Sequence, residues 1–453
     1  MLRLDALGPT GPYRSRNQET IGDRTGNPVA TLSLAPRLYV TRAMQAMHRS
    51  AALPVDGRIA AIARAGRAFA TERVAGQSVE DYQRTVSAVA GMPITVVRNA
   101  TADIALAAAQ VYRTVRNARP ADAVGDWRDP STHAGRAVWS RRGEVFAVHA
   151  AGNHPAVHLA WLEPLALGYR VAVRPSRREP FTPHRLITAL REAGFGEDRI
   201  VLLPTDHDAA GEILRGADLG MVYGGDEVVR KYAGDPGVLP QGPGRSKVLL
   251  TAGADWESAL DTMVESVSGG GGVGCVNATA VLVEGDPAPV AEALAARLAE
   301  LPSLPALDER AVLPVHTVET ARALAKHLRE RAAGTRVWLG GNGIVDELGD
   351  GSAVLRPAVH QVDDPFAEQI GAELPFPCVW VAPWDRDAGI AALRNTLVLT
   401  AFTGDERLID QLVDEPTIAN VHLGDHPTTW MRAGLPHDGY LPEFLMRSKT
   451  VRR

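Results

Sequence analysis

The sequence predicts an α/β protein built as two lobes in series, each around a largely parallel sheet. Between residues 145 and 223, short β-type runs alternate with helical segments, a rhythm that sets successive strands side by side and parallel. A second alternation runs from about residue 247 to 333. With 453 residues, 45% apolar and 22% charged, the chain can fill two cores.

The elements follow in order. Residues 1 to about 35 are rich in Gly, Pro, Asn and Arg and show no apolar period, which predicts an irregular arm. Ile59, Ile62, Ala63, Gly66 and Phe69 then recur at helical spacing behind Asp56, read as the N-cap. Val145 to Ala150 reads as a strand, the apolar stretch 156–167 as one buried helix, and Val171 to Val173 as the next strand, which makes a βαβ unit. Thr182 and Pro183 open a helix that Gly194 closes; runs at 200–203 and 219–223 add strands around a helix near 209–214. The second series comprises a strand at 247–250, a helix at 255–267, a strand at 279–283 and a helical region at 318–333. There is no internal repeat, and the glycine-rich segment 268–274 is too short for a linker, so it reads as a special loop.

A formal charge of -5 and the lack of a Lys/Arg block argue against nucleic acid as a partner, since phosphate binding needs concentrated positive charge. No segment approaches the roughly 18 uncharged apolar residues of a membrane span, and the first residues hold no apolar signal region, so a cytoplasmic protein is expected. Two cysteines, Cys275 and Cys378, suit a reducing compartment and leave a thiol free to react.

Gly269, Gly270, Gly271, Gly272 and Gly274 precede Cys275, with a helix before them and a strand after. Glycines let backbone N–H groups approach a ligand, so a thiol at the loop's end can meet a substrate while those groups stabilise an oxyanion. A buried structural cysteine is the alternative, and is preferred for Cys378 in its strand-like Phe-Pro-Cys-Val-Trp-Val run. His154 and His158 have the i, i+4 spacing of a metal pair, but no HExxH glutamate or cysteine cluster accompanies them, so no metal is expected.

The stretch VFAVHAAGNHPAVHLAWLEPLALGYRVAVRPS, residues 145–176, resembles the strand, Asn-x-Pro helix and Lys-Pro-Ser strand of aldehyde dehydrogenases. From Ile59 to about Phe402 the order of elements is similar, including the Gly-x-x-Cys step at Gly272 to Cys275 and the segment Glu373-Leu-Pro-Phe-Pro. Tyr223-Gly-Gly-Asp-Glu227 and Gly242-Pro-Gly-Arg-Ser-Lys247 look most like the fatty acyl-CoA reductases of the bioluminescence type. The resemblance implies a Rossmann-like cofactor lobe, an α/β catalytic lobe and a β-extension for oligomerisation. The corresponding division is 1–240 for the arm and dinucleotide-binding domain, with 121–144 as the extension, 241–425 for the catalytic domain and 426–453 for a docking tail. A homodimer or homotetramer is the inherited expectation.

It also assigns roles. Cys275 stands at the nucleophile position and Asn153 at that of the asparagine whose amide supports the oxyanion. Gln241, 34 residues before Cys275, stands where hydrolytic members carry a glutamate base. A glutamine cannot accept water's proton, so the expected reaction is NADPH-dependent reduction of an acyl thioester to an aldehyde through a Cys275 acyl-enzyme. The acyl group is fatty or aromatic, delivered by coenzyme A, a carrier protein or an acyl-activating partner enzyme. The alternatives are an NAD(P)-dependent aldehyde dehydrogenase making acids, with Glu227 or Glu265 as base, and a non-catalytic partner protein of the same fold. For the cofactor, Arg174 replaces the lysine at the adenosine ribose and Arg177 an NAD-selective glutamate, with Ser176 between them, which favours NADP(H) over NAD(H). Gly225 matches a glycine that lets the cofactor pass the backbone. Asp226 beside it is read as a helix N-cap turned away from the pyrophosphate, unless the cofactor takes another path. Glu373 matches the glutamate that holds the nicotinamide ribose.

Overall fold

A computed structural model describing residues 1–453 carries two seven-stranded sheets, one per lobe. Across the first sheet the order is Val238–Gln241, Leu219–Tyr223, Val145–His149, Arg170–Arg174, Ile200–Leu202, Ala6–Gly8 and Gly11–Tyr13. The first five run parallel and Ala6–Gly8 joins antiparallel. From Val145–His149 the chain steps outward through two strands on one side, then returns to the other side with Leu219–Tyr223. That reversal opens a crevice beyond the carboxyl ends of Val145–His149 and Leu219–Tyr223, where open α/β sheets bind ligands.

Both faces of the sheet are covered, which is why its strands are almost continuously apolar. On one face the helices Val55–Thr71 and Ile94–Asn117 bury Ile62, Phe69, Val97 and Ile104 in the same core as Phe146 and Val171. On the other, the helix Arg37–Arg49 packs Val40, Met44 and Met47 with Val145, Ala172 and Val201. Each of the Val, Ile, Phe and Met side chains among them contributes about 1.5–3 kcal/mol on burial.

The second sheet runs Arg336–Leu339, Ala358–Gln361, Cys378–Trp384, Ala278–Glu284, Ser246–Leu250, Thr396–Phe402 and Ile418–Leu423, parallel except for the antiparallel first strand. Leu249, Leu282 and Trp380 point into the core on one face, and Val248, Val281 and Val381 into the core on the other. No helix is long and apolar enough to cross a membrane.

Several elements differ from expectation. The arm is ordered: Leu2–Leu4, Pro28–Ser33 and Gln18–Gly22 form a three-stranded sheet that buries Leu4, Ile21, Ala30 and Leu32. Its strands are short and their partners non-local, so no local period announces them. The stretch 156–167 is not one helix but a 3-10 turn, Pro155–Leu159, followed by Leu162–Leu167. Pro164 would interrupt a continuous helix, whereas a restart at Leu162 places it in a first turn, where its missing N–H costs nothing. Pro54, not Asp56, precedes the helix Val55–Thr71, and Asp56 lies in its first turn. The helix expected at 255–267 begins only at Leu260, after turns in which Asp255 accepts the Ser258 N–H at 3.2 Å. Finally, Arg136–Arg141 pairs antiparallel with Met446–Val451, joining the 121–144 segment to the C-terminal tail within one chain.

Candidate active site

The helix Leu260–Ser268 runs into the glycine loop, where Gly270, Gly271 and Gly272 have φ of +63°, +88° and +67°. Only glycine adopts this left-handed path cheaply, so the run of glycines is a requirement of the turn. Asn277 pins it. Its Oδ1 accepts the Gly274 N–H at 2.8 Å, and its Nδ2 donates to the carbonyls of Gly269 at 2.8 Å and Ser266 at 3.2 Å. From the neighbouring strand, Ser246 Oγ donates to the Cys275 carbonyl at 2.9 Å. Gly244 must also be glycine, because a Cβ there would stand 1.9 Å from that carbonyl oxygen.

Cys275 thus emerges at a fixed place, half-buried and near enough to Tyr223, at the carboxyl end of its strand, for their charges to interact. Its Sγ lies 3.7 Å from His437 Nε2. His437 is solvent-accessible at the cleft mouth, though closely surrounded by protein. Asn420 Nδ2 donates to the His437 carbonyl at 2.5 Å, and Asn117 Nδ2 to that of Gly434 at 2.8 Å, so the segment is tied to both lobes. Burial pushes the thiol up to about 12, with the Glu373 and Asp438 carboxylates adding to the effect. Burial lowers His437 below the ordinary imidazole value, against the opposing charge of Asp438. At neutral pH the resting pair is therefore an uncharged thiol beside an uncharged imidazole.

Asn153 follows the strand Val145–His149, and its Nδ2 donates to the Val273 carbonyl of the glycine loop at 3.0 Å. The residue expected to support an oxyanion is thereby linked to the loop that carries the nucleophile. Gln241 ends the edge strand beside Tyr223, with its carbonyl accepting the Gly224 N–H at 3.0 Å. The two glutamates weighed as bases, Glu227 and Glu265, are both solvent-exposed; the carboxylates whose charge acts on the thiol are Glu373 and Asp438.

Glu373 Oε1 accepts the Arg245 N–H at 2.5 Å, and burial raises its carboxyl above the usual range. Arg245, at φ +49°, donates from Nε to the Gly371 carbonyl at 3.1 Å and from Nη2 to both Asp226 oxygens at 2.6 and 2.7 Å. Asp226 is not the helix N-cap: Gly225 holds that place in front of Asp226–Tyr232. Its carboxylate is matched by a guanidinium, which removes the expected conflict with a pyrophosphate.

Along the crevice, Arg174 Nε donates to Thr205 Oγ1 at 2.9 Å, and Ser176 Oγ accepts the Arg178 N–H at 3.2 Å. Arg177 is paired with Glu19 of the N-terminal sheet at 2.8 Å. Apart from Gly225 itself and its two chain neighbours, nothing lies within 4 Å of the place a Cβ on Gly225 would occupy. The topological switch point, the open backbone at Gly225, the cations Arg174 and Arg177 and the neutralised Asp226 together fit a dinucleotide.

His154 and His158 have local partners: His154 Nδ1 accepts the Ala156 N–H at 3.1 Å and His158 Nδ1 the Trp161 indole N–H at 3.0 Å. Cys378 is buried behind the glycine loop, which pushes its thiol far up. Sequence reasoning missed His437, Asn277, Arg245 and Glu19 as parts of the site. Asn277 was reachable, standing two residues after the cysteine. For His437 the sequence offered no more than a place in the aperiodic segment 426–453, read as a docking tail.

The family model described as the aldehyde dehydrogenase family matches residues 13–441. Malonate-semialdehyde dehydrogenase 2 of Bacillus mycoides is 27% identical over 155 residues, 32% of this chain and 32% of that protein. The malonate-semialdehyde dehydrogenase of Halalkalibacterium halodurans is 28% identical over 155 residues, 32% of this chain and 31% of its own. The matched stretch thus spans about a third of these curated relatives. Among solved structures, an E. coli NADP dependent enzyme superposes with a TM-score of 0.83 at 17% identity, covering 99% of this chain and 98% of that one. An indole-3-acetaldehyde dehydrogenase complexed with NAD+ gives 0.83 at 16% identity, covering 100% and 97%. At such identities the likeness establishes the fold.

Proposed function

The chain belongs to the aldehyde dehydrogenase family, and from that premise we propose that it oxidises an aldehyde to the carboxylic acid through a covalent acyl-enzyme on Cys275. The observation that carries this reading is the placement of Cys275: a reachable thiol on a braced glycine loop, close to Tyr223 at a crevice suited to a dinucleotide, with Asn153 against the same loop. The matched curated relatives, named as malonate-semialdehyde dehydrogenases, support it over the thioester reduction expected from Gln241 and from the acyl-CoA-reductase-like segments 223–227 and 242–247.

In this reading Cys275 attacks the aldehyde carbonyl, and Asn153 turns its amide from Val273 to the oxyanion together with backbone N–H groups of the loop. A bound nicotinamide cofactor supplies the hydride acceptor. Arg174 and Ser176 would hold the adenosine side, Gly225 leaves room for the backbone of the dinucleotide, and Glu373 would orient the nicotinamide ribose. NADP(H) is preferred modestly, because a 2′-phosphate gains Arg174 but must compete with Glu19 for Arg177.

One observation favours a second reading. Gln241 offers no carboxylate, so a thiol can replace water as acyl acceptor, and the reverse reaction is then reduction of an acyl thioester. Mass spectrometry after mixing with an aldehyde panel and NAD(P)+ tests the first reading: an acyl adduct on the Cys275 peptide, absent in Cys275→Ala, supports it. No adduct with any aldehyde, but one with acyl-CoA thioesters, favours the second.

A further inference from the structure

We infer that His437 is the general base of this site: it takes the Cys275 thiol proton as sulfur attacks the aldehyde, and later the proton of the water that cleaves the acyl-enzyme. The inference deepens the aldehyde-oxidising reading and rests on it.

The geometry comes first. Nε2 stands 3.7 Å from Sγ, a separation that catalytic hydrogen bonds commonly show before substrate tightens them. The imidazole is held in place by its backbone. Its carbonyl accepts from Asn420 on the strand Ile418–Leu423, and three residues upstream the Gly434 carbonyl accepts from both Asn117 Nδ2 and Tyr440 Oη, the latter at 3.3 Å. Within this cleft the other candidates are poorly suited. Gln241 has no basic form, and Glu373 already accepts a backbone N–H. Tyr223 is raised far above neutrality by burial and by the charges of Cys275, Asp438 and Glu163, so it stays protonated. Asp438 adjoins His437 and is placed to stabilise the imidazolium that forms.

The protons balance. In the first step the S–H bond breaks, its proton passes to Nε2, and a C–S bond forms as the carbonyl oxygen takes up the negative charge. With a bound nicotinamide as hydride acceptor, loss of hydride from carbon and collapse of the oxyanion would leave a thioester on Cys275. Because His437 lies at the solvent-accessible mouth, the imidazolium can release its proton to bulk water and become neutral again. In the second step water's oxygen bonds to the thioester carbon and its proton passes to Nε2. The C–S bond breaks, and the departing sulfur recovers the proton from the imidazolium. The acid ionises in solvent. Burial keeps His437 neutral at neutral pH, so it is in the accepting form when each step begins.

The test uses the full chain and p-nitrophenyl acetate, which acylates a reactive thiol without any nicotinamide, alongside iodoacetamide alkylation of Cys275 as a function of pH. The wild type should give a p-nitrophenolate burst and then slower turnover, with turnover falling as acid protonates His437. His437→Gln should slow deacylation about 10²–10⁴-fold, the usual worth of a general base, and remove that acid limb. In His437→Gly, added imidazole should restore turnover. Deacylation within threefold of wild type in His437→Gln would overturn the inference, as would a slow variant that keeps the acid limb or fails to respond to imidazole. If the wild type shows no burst, an alkylation profile unchanged by His437→Gln overturns it equally. Should these results support His437 while no aldehyde reduces a dinucleotide, only the aldehyde-oxidising reading falls.

Discussion

Arg245 donates both hydrogen bonds that its Nη2 makes to Asp226, at 2.6 and 2.7 Å, while its backbone N–H donates to Glu373. One residue thereby neutralises the carboxylate at the start of the helix Asp226–Tyr232 and fixes the glutamate that faces the thiol. Removing the guanidinium leaves an unmatched negative charge beside the path proposed for the dinucleotide's pyrophosphate. Arg245→Ala should weaken dinucleotide binding about tenfold, roughly 1.4 kcal/mol, by fluorescence titration. Asp226→Asn should leave affinity unchanged or tighten it. A loss in both variants would mean that the pair itself, and not charge cancellation, matters.

On the proposed reading of the cofactor site, the pairing of Arg177 with Glu19 at 2.8 Å limits what the guanidinium can offer a 2′-phosphate. Glu19→Gln frees the guanidinium for a 2′-phosphate and should raise the NADP+ to NAD+ ratio of kcat/KM several-fold, in keeping with a partly exposed pair worth about 1 kcal/mol or less. Steady-state kinetics with both cofactors would check this, and an unchanged ratio would place the phosphate elsewhere.

Asn277 braces the glycine loop from within. Asn277→Ala leaves the Gly274 N–H and the Gly269 carbonyl without their partner, a loss of about 1–3 kcal/mol for each group left buried. Thermal denaturation should show a lowered Tm, and at a temperature where the variant is folded, kcat should fall while dinucleotide affinity is retained.

Glu163 carries a pH signature. Its Oε2 is buried without a partner, and burial raises the carboxyl from 4.5 to about 7. Between these values the folded chain keeps a proton that the unfolded chain has lost, so this group's contribution to stability falls as pH rises through the window and stays unfavourable above it. Glu163→Gln should be near neutral at pH 4.5 and stabilising at pH 8, by an amount on the order of 3 kcal/mol. Denaturant titrations at the two pH values measure the difference; equal effects at both would show that the carboxyl is hydrated.

Much of the architecture is legible because it is local. The strands at Val145, Arg170, Leu219 and Ser246 announce themselves by apolar runs, and the left-handed loop before Cys275 by its glycines. What escapes is non-local. The N-terminal strands acquire their identity only from distant partners, Pro164 reshapes a helix whose apolar content reads as continuous, and Glu19 meets Arg177 from the far end of the chain. His437 is the extreme case: 162 positions from Cys275 in sequence, it is brought to the thiol by a tail without periodicity. Resemblance identifies Gln241 as the missing base, yet only the folded chain reveals the imidazole at the same cleft.

The most direct test of the central claim is anaerobic single turnover of the purified protein with NADP+ or NAD+ and a panel of aldehydes, following cofactor absorbance and product, beside Cys275→Ala. The account predicts a burst of reduced cofactor matched by carboxylic acid without added thiol, and no burst in Cys275→Ala. Absence of cofactor reduction with every aldehyde, together with thiol release and NADPH oxidation from acyl-CoA thioesters, would contradict it and install the reductase in its place.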